Sequence, residues 1–172
     1  FLLGLNHGLL SLSLGNNVLN QMQGQALADA FLEIPESVTE FNLSLNDLGE
    51  MQGGDLEKIF ASIPEDVSVL NLSWNQLGQK TSTELAEAFS SLPKNIRHLF
   101  LRGNGLGAKV GVELAQVFAQ LPQKIHWLDV SANELGGLSL NDLLYVLTTL
   151  PKDTAVLDLS DNLLGHLPPH EL

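Results

Sequence analysis

Acids, bases and nucleophiles that could do chemistry are few in this chain. Asp129 and Asp158 stand 29 residues apart, and a carboxylate pair can perform general acid–base work. His98 and His126 are a second pair, but two imidazoles make a poor metal site without a third ligand. Ser131 could serve as a nucleophile beside His98 and Asp129, yet no strained strand-to-helix turn presents it. No phosphate loop and no HExxH motif is present, and "PPHEL" ends before a second histidine could follow. Without cysteine there is neither a thiolate nor a disulfide framework. No catalytic residue, metal site or cofactor is therefore expected. The remaining candidates are binding residues.

The interval of 29 residues governs the whole chain. The motif L-x-x-L-x-L-x-x-N-x-L occurs six times, with asparagines at Asn17, Asn46, Asn75, Asn104, Asn133 and Asn162. Pro35, Pro64, Pro93, Pro122 and Pro151 keep the same spacing, as do Gly49, Gly78, Gly107, Gly136 and Gly165. Asn20 holds the glycine position in the first copy. Such a period marks a solenoid.

Each copy has two halves. Stretches such as "VLNLSW" (69–74) and "WLDVSA" (127–132) alternate, which predicts a strand with one buried face. The following half repeats apolar residues at i, i+4 and i+7, as in Leu85, Phe89 and Leu92, which is one stripe of a helix. Helices are expected near 24–34, 53–63, 82–92, 111–121 and 140–150. Thr81 and Glu84 fit a capping box. The proline ends each helix, because the residue before it is driven out of the α region. The glycine suits either a left-handed or a tightly packed backbone. Neither half can bury its apolar face alone, so copies must stack. Strands stack about 4.8 Å apart. Packed helices need about 8–10 Å. The stack must therefore curve, with strands on the concave and helices on the convex side. The asparagines are expected to face inward as a structural ladder that serves turn backbone.

The 172 residues suffice for one domain: 1–8 as the end of a preceding helix or cap, 9–165 as repeats, 166–172 as a tail. A net charge of -12 opposes a nucleic-acid or anionic-membrane surface, since phosphate binding needs clustered Lys and Arg. No run of 18 apolar residues suggests a membrane span. The apolar start "FLLGLNHGLLSLSL" lacks a basic leader, so it is not read as a signal peptide. The chain begins without Met and is treated as a fragment. Lys58, Lys80, Lys94, Lys109, Lys124 and Lys152 are assigned to a solvated outer face. Asp158 and Asp161 are expected to blunt the last strand's edge.

The unit "VTEFNLSLNDLG…ELAEAFSSLP" resembles the ribonuclease-inhibitor-like class of leucine-rich repeats. More narrowly, "NLSxNxLG" followed by "EL" and "F-x-x-L-P" is similar to the repeat effectors of Legionella-type intracellular bacteria. The resemblance implies an α/β horseshoe that binds another protein, either a host protein or a second bacterial effector. It implies an inhibitor or adaptor, monomeric apart from its partner and cytosolic, which bacteria secrete into the host cytoplasm. Ribonuclease as a target is not carried over, because the ribonuclease inhibitor is longer and cysteine-rich. An alternative within the same repeat class is a GTPase-activating or GTPase-binding protein.

Most copies place small polar residues on the concave face, and the later copies depart from this. Trp74, Arg97, His98, Phe100, Arg102, Trp127, Asp129 and Asp158 all fall on that face or its rim. Trp and Arg dominate interface energetics, which makes these eight the candidate partner site. The "NLS" sequons at Asn42 and Asn71 recur with the repeat and are read as part of its framework.

Overall fold

The computed structural model describes residue 2 and residues 4–166. The remainder of the expected 166–172 tail lies outside the described residues. Among these residues, six short strands form one parallel sheet in chain order: β1 (Ser11–Ser13), β2 (Glu40–Asn42), β3 (Val69–Asn71), β4 (His98–Phe100), β5 (Trp127–Asp129) and β6 (Val156–Asp158). Each residue pairs with the one 29 positions on, for example His98 with Trp127 and Phe100 with Asp129. A 3₁₀ turn follows each strand, as at Leu77–Gln79 and Leu106–Ala108. Five helices follow: α1 (Gly24–Phe31), α2 (Asp55–Ala61), α3 (Ser82–Ser90), α4 (Gly111–Phe118) and α5 (Leu140–Thr148). The chain is an α/β leucine-rich-repeat solenoid. No helix among the described residues is long and apolar enough to cross a membrane.

The helices stop two or three residues before the expected ends. Their last turn tightens into i→i−3 bonds, as Ile34 N–H donates to the Phe31 carbonyl at 3.1 Å and Leu92 N–H to that of Phe89 at 3.3 Å. The capping box of α3 forms in full: Thr81 Oγ1 accepts from Glu84 N–H, and the Glu84 carboxylate accepts from Thr81 N–H. These bonds hold the Glu84 carboxyl below the usual carboxylate range. Between sheet and helices runs one core, in which Phe31, Phe60, Phe89 and Phe118 form a buried column.

Asparagines stitch the turns together. The Asn104 Oδ1 accepts from the backbone N–H of Asn75 at 3.0 Å and of Leu77 at 3.3 Å, both in the preceding repeat. Its Nδ2 donates to the carbonyls of Leu72 and Leu101. Asn46, Asn75, Asn133 and Asn162 repeat this pattern and are buried. Because every side chain reaches backward, Asn17 has no described repeat to serve. It is exposed, and its Nδ2 donates only to the Gly15 carbonyl at 3.2 Å.

The periodic glycines are not left-handed. Gly49, Gly78, Gly107 and Gly136 instead lie against the next turn, where an added Cβ would fall 2.0–2.3 Å from a backbone carbonyl oxygen. Their N–H groups donate across that gap at 2.8 Å, whereas Asn20, with its Cβ, donates to the Asn46 carbonyl at 3.2 Å. Left-handed residues flank each ladder asparagine instead: Trp74 and Gln76, Gly103 and Gly105, Ala132 and Glu134.

Lys80 and Lys109 are not on the solvated face. They are 7% and 8% exposed, at the position that Met22, Met51 and Leu138 fill in sister repeats. Their aliphatic stems replace those side chains. Their ammonium groups donate to backbone carbonyls of the preceding repeat, Lys80 to Met51 and Lys109 to Lys80 and Gly78. Burial pushes the Lys109 pKa down. At the beginning of the chain, Leu2 is buried and Leu5 packs on the core, with turns rather than helix in the described part of 1–8.

Candidate partner-binding site

The concave face is set by the odd positions of the strands and the turn that follows. In four repeats the third strand residue is Asn or Asp, and it performs one local task. Asn42, Asn71, Asp129 and Asp158 each accept, through Oδ1, the N–H two residues on, at 2.8–2.9 Å. Such side-chain turns fix the chain as it leaves the sheet. Asp129 and Asp158 are paired across β5 and β6, but each already spends a carboxylate oxygen in this way. The Ser160 N–H holds the Asp158 carboxyl below its ordinary range, the opposite of what a general acid needs. Ser131 Oγ donates to Asp129 and accepts from Arg102, so its bonds go to those two groups rather than to an imidazole.

Phe100 occupies this position in β4 and cannot accept. Among the described residues the Arg102 N–H accordingly meets no side-chain acceptor. The ring is half-buried and walls a shallow concave cavity of about 200 Å³ with Asn71, Val69 and Glu40. Beside it, His98 meets Trp127 with ring centroids 6.2 Å apart and planes tilted by 57°. Trp127 is 40% exposed, and Trp74, at the turn after β3, is 45% exposed.

Trp74 is held in place by the next repeat. Its indole lies over Gly103, where an added Cβ would come within 2.3 Å of Cε3. The Arg102 guanidinium carbon sits 5.9 Å from the indole centroid, within cation–π range. Arg102 then reaches across two repeats: Nη1 donates to Ser131 Oγ at 2.8 Å, and Nη2 to Asp161 Oδ2 at 2.6 Å. That ion pair raises the Arg102 pKa further, with Asp129 and Asp158 adding smaller attractions. Asp161 is therefore the partner of Arg102 rather than a bare edge charge. The missing side chain at Gly105 opens a notch of about 430 Å³ beside this cluster, lined by Gln76, Gly103 and Glu134.

Arg97 belongs to a different group. It lies at the other strand end, exposed, with His98, His126 and Asp153 around an open cavity. The eight candidate residues thus fall into three sets. The aromatic centre is Phe100, His98 and Trp127. The turn-side cluster is Trp74 and Arg102 with Asp129 and Asp158 nearby. Arg97 stands on the opposite rim. Sequence reasoning missed Gly103, Ser131 and His126 as members. Their signal was the 29-residue register, which sets Gly103 beside Trp74 and His126 beside Arg97.

No family model matches the chain, and no curated protein does. Among solved structures, it is similar to the leucine-rich repeat-containing protein LegL7 from Legionella pneumophila. The match has 34% sequence identity and a TM-score of 0.68, and covers 95% of this chain and 60% of that one. The chain therefore spans about 60% of that protein's length in the structure. The likeness supports a protein-interaction repeat module and the resemblance to Legionella leucine-rich-repeat proteins.

Proposed function

We propose that this leucine-rich-repeat solenoid binds another protein through the concave face of its fourth to sixth repeats. The observation that carries this is the fourth repeat's loss of a framework role. Phe100 gives up the turn bond that Asn42, Asn71, Asp129 and Asp158 all make, and it puts an aromatic ring on the face instead. With Trp127 it leaves aromatic surface in water, bordered by charge, as interaction surfaces do. Arg102 is pre-organised by its ion pair and its stack on Trp74, so little side-chain entropy remains to be lost on binding. The protein acts as a bacterial effector in the host cytosol, as inhibitor or adaptor of an enzyme or signalling protein, and is a monomer until it meets that target.

The test is a pull-down from host-cell lysate with the wild type and with the double variant Phe100→Ala/Trp127→Ala. A protein retained by the first and lost by the second supports the concave site. Equal retention by a folded double variant would move the partner to the convex helices.

A further inference from the structure

The second residue of each repeat's strand segment forms its own column: Leu10, Thr39, Ser68, Arg97, His126 and Ala155. The carbonyls of the first five each accept two N–H groups from the next strand segment, so the backbone there is fully used. In the second and third repeats the side chain also turns back on the sheet. Thr39 Oγ1 donates to the Leu10 carbonyl at 3.4 Å, and Ser68 Oγ to that of Thr39 at 3.3 Å. The fourth and fifth repeats drop this bond and place Arg97 and His126 there, both exposed.

These two side chains and His98 line an open cavity of about 440 Å³, with Asp153 as the one carboxylate on its wall. The concentration of nitrogen donors is unusual in a chain with 8 Lys and Arg against 20 Asp and Glu. Among the described residues Arg97 makes no ion pair, whereas Arg102 is tied to Asp161. The neighbouring Lys124 is held by Asn95 Oδ1 at 3.0 Å. Guanidinium offers a planar fork of donors that matches an oxyanion, and each imidazole supplies at least one N–H in either protonation state. On the side toward the concave centre His98 meets the Trp127 ring, with centroids 6.2 Å apart.

We propose that the Arg97, His98 and His126 cavity binds a compact oxyanion, a carboxylate or phosphoryl group carried on a side chain of the bound protein. Only the identity of the carrier rests on the partner-binding reading. The site itself is present in the free chain and answers to small probes. Asp153 opposes the anion, which keeps the contact weak and reversible. A polyanion such as nucleic acid does not fit a chain of net charge -12, which would repel it as a whole.

The test uses ¹³C-labelled histidine and two probes blocked at both ends, N-acetyl-aspartate amide and N-acetyl-phosphoserine amide. The imidazole signals of His98 and His126 should shift saturably, with His7 as an unaffected reference. Saturation by the aspartate probe identifies a carboxylate carrier, and by phosphoserine alone a phosphoprotein. Arg97→Ala should weaken binding about two- to fivefold, the scale of one exposed charge pair. Asp153→Asn should tighten it about two- to fivefold on the same scale, a direction that general damage to the fold would not produce. Absence of a saturable shift with both probes, or unchanged affinity in Arg97→Ala, would overturn the site. Neither result depends on Phe100 or Trp127, so failure here is distinguishable from failure of the concave-face reading.

Discussion

The first three repeats and the last three share a buried framework and differ in what they show to solvent. On β1–β3 the outward-facing strand residues are Ser11, Ser13, Glu40, Asn42, Val69 and Asn71, and Asn42, Asn71, Thr39 and Ser68 all bond back to the sheet or its turns. On β4–β6 they are His98, Phe100, Trp127, Asp129, Val156 and Asp158, and the rim carries Arg97 and His126. Beneath both halves the ladder from Asn46 to Asn162 and the apolar strand residues of the inner repeats are buried. The difference separates two kinds of position. Buried positions are dictated by stacking, while exposed positions can keep a small local bond or surrender it for contact with something else. The second half lacks it at four places, Arg97, Phe100, His126 and Ala155, while Asp129 and Asp158 keep it.

If the framework is shared, breaking it should cost the same in either half. Asn75→Ala and Asn104→Ala each strand several buried backbone groups. At about 1–3 kcal/mol for each orphaned group, each variant should lose about 3–5 kcal/mol in urea melts. Asn17→Ala should lose less than about 0.5 kcal/mol, the scale of an exposed site. A large difference between Asn75→Ala and Asn104→Ala would break the idea of a common framework.

Glycines sharpen the contrast at the turns. Gly105→Ala meets open space but keeps a φ of +66°, so left-handed strain alone should cost about 1 kcal/mol. Gly103→Ala, at φ +67°, must also expel the Trp74 indole and should cost about 1 kcal/mol more. Trp74 fluorescence should shift to the red in Gly103→Ala and stay unchanged in Gly105→Ala. Equal spectra would show that the indole does not rest on Gly103.

Arg102→Ala removes an ion pair whose side chains are 36% and 61% exposed. The loss should be small by thermal melt, well below that of Asn104→Ala, and it should shrink in high salt. A loss as large as that of Asn104→Ala would make Arg102 part of the framework and not of the site. The smallest effect concerns acid. Glu84 has a lowered pKa in the fold, so its contribution is present above its unfolded value and fades as the pH falls through the folded one. The stability gap between wild type and Glu84→Ala, about 0.5 kcal/mol near neutrality, should close as the pH drops below about 4. A gap that widens in acid would contradict the capping bond.

The solenoid was legible because every repeat writes it again. The period alone placed Asn46 to Asn162 in register, and alternation placed the sheet's buried leucines. The tightened last turn of each helix was not legible, since α and 3₁₀ turns share the same apolar stripe. Lys80 and Lys109 were misplaced because their residue type suggests solvent, while their long stems suit a methionine position. The site was half legible. Aromatic and charged residues stood out against small polar sisters, but side-chain reach did not. Arg102 meets Asp161 across two repeats, a contact that needs the register and the guanidinium's length together. His126 was set aside as half of a poor metal pair, and its place beside Arg97 emerges only once the strands are aligned.

On the proposed reading, partner contact centres on the fourth and fifth repeats, and the first two repeats do not bind. Calorimetric affinity for the captured partner, measured with two folded double variants, tests this most directly. Phe100→Ala/Trp127→Ala should weaken binding at least about thirtyfold, the cost of losing one 2 kcal/mol anchor. Ser13→Ala/Ser44→Ala should weaken it less than about threefold, as expected for a surface outside the hot spot. Equal losses, or the larger loss in the Ser13/Ser44 variant, would contradict the account.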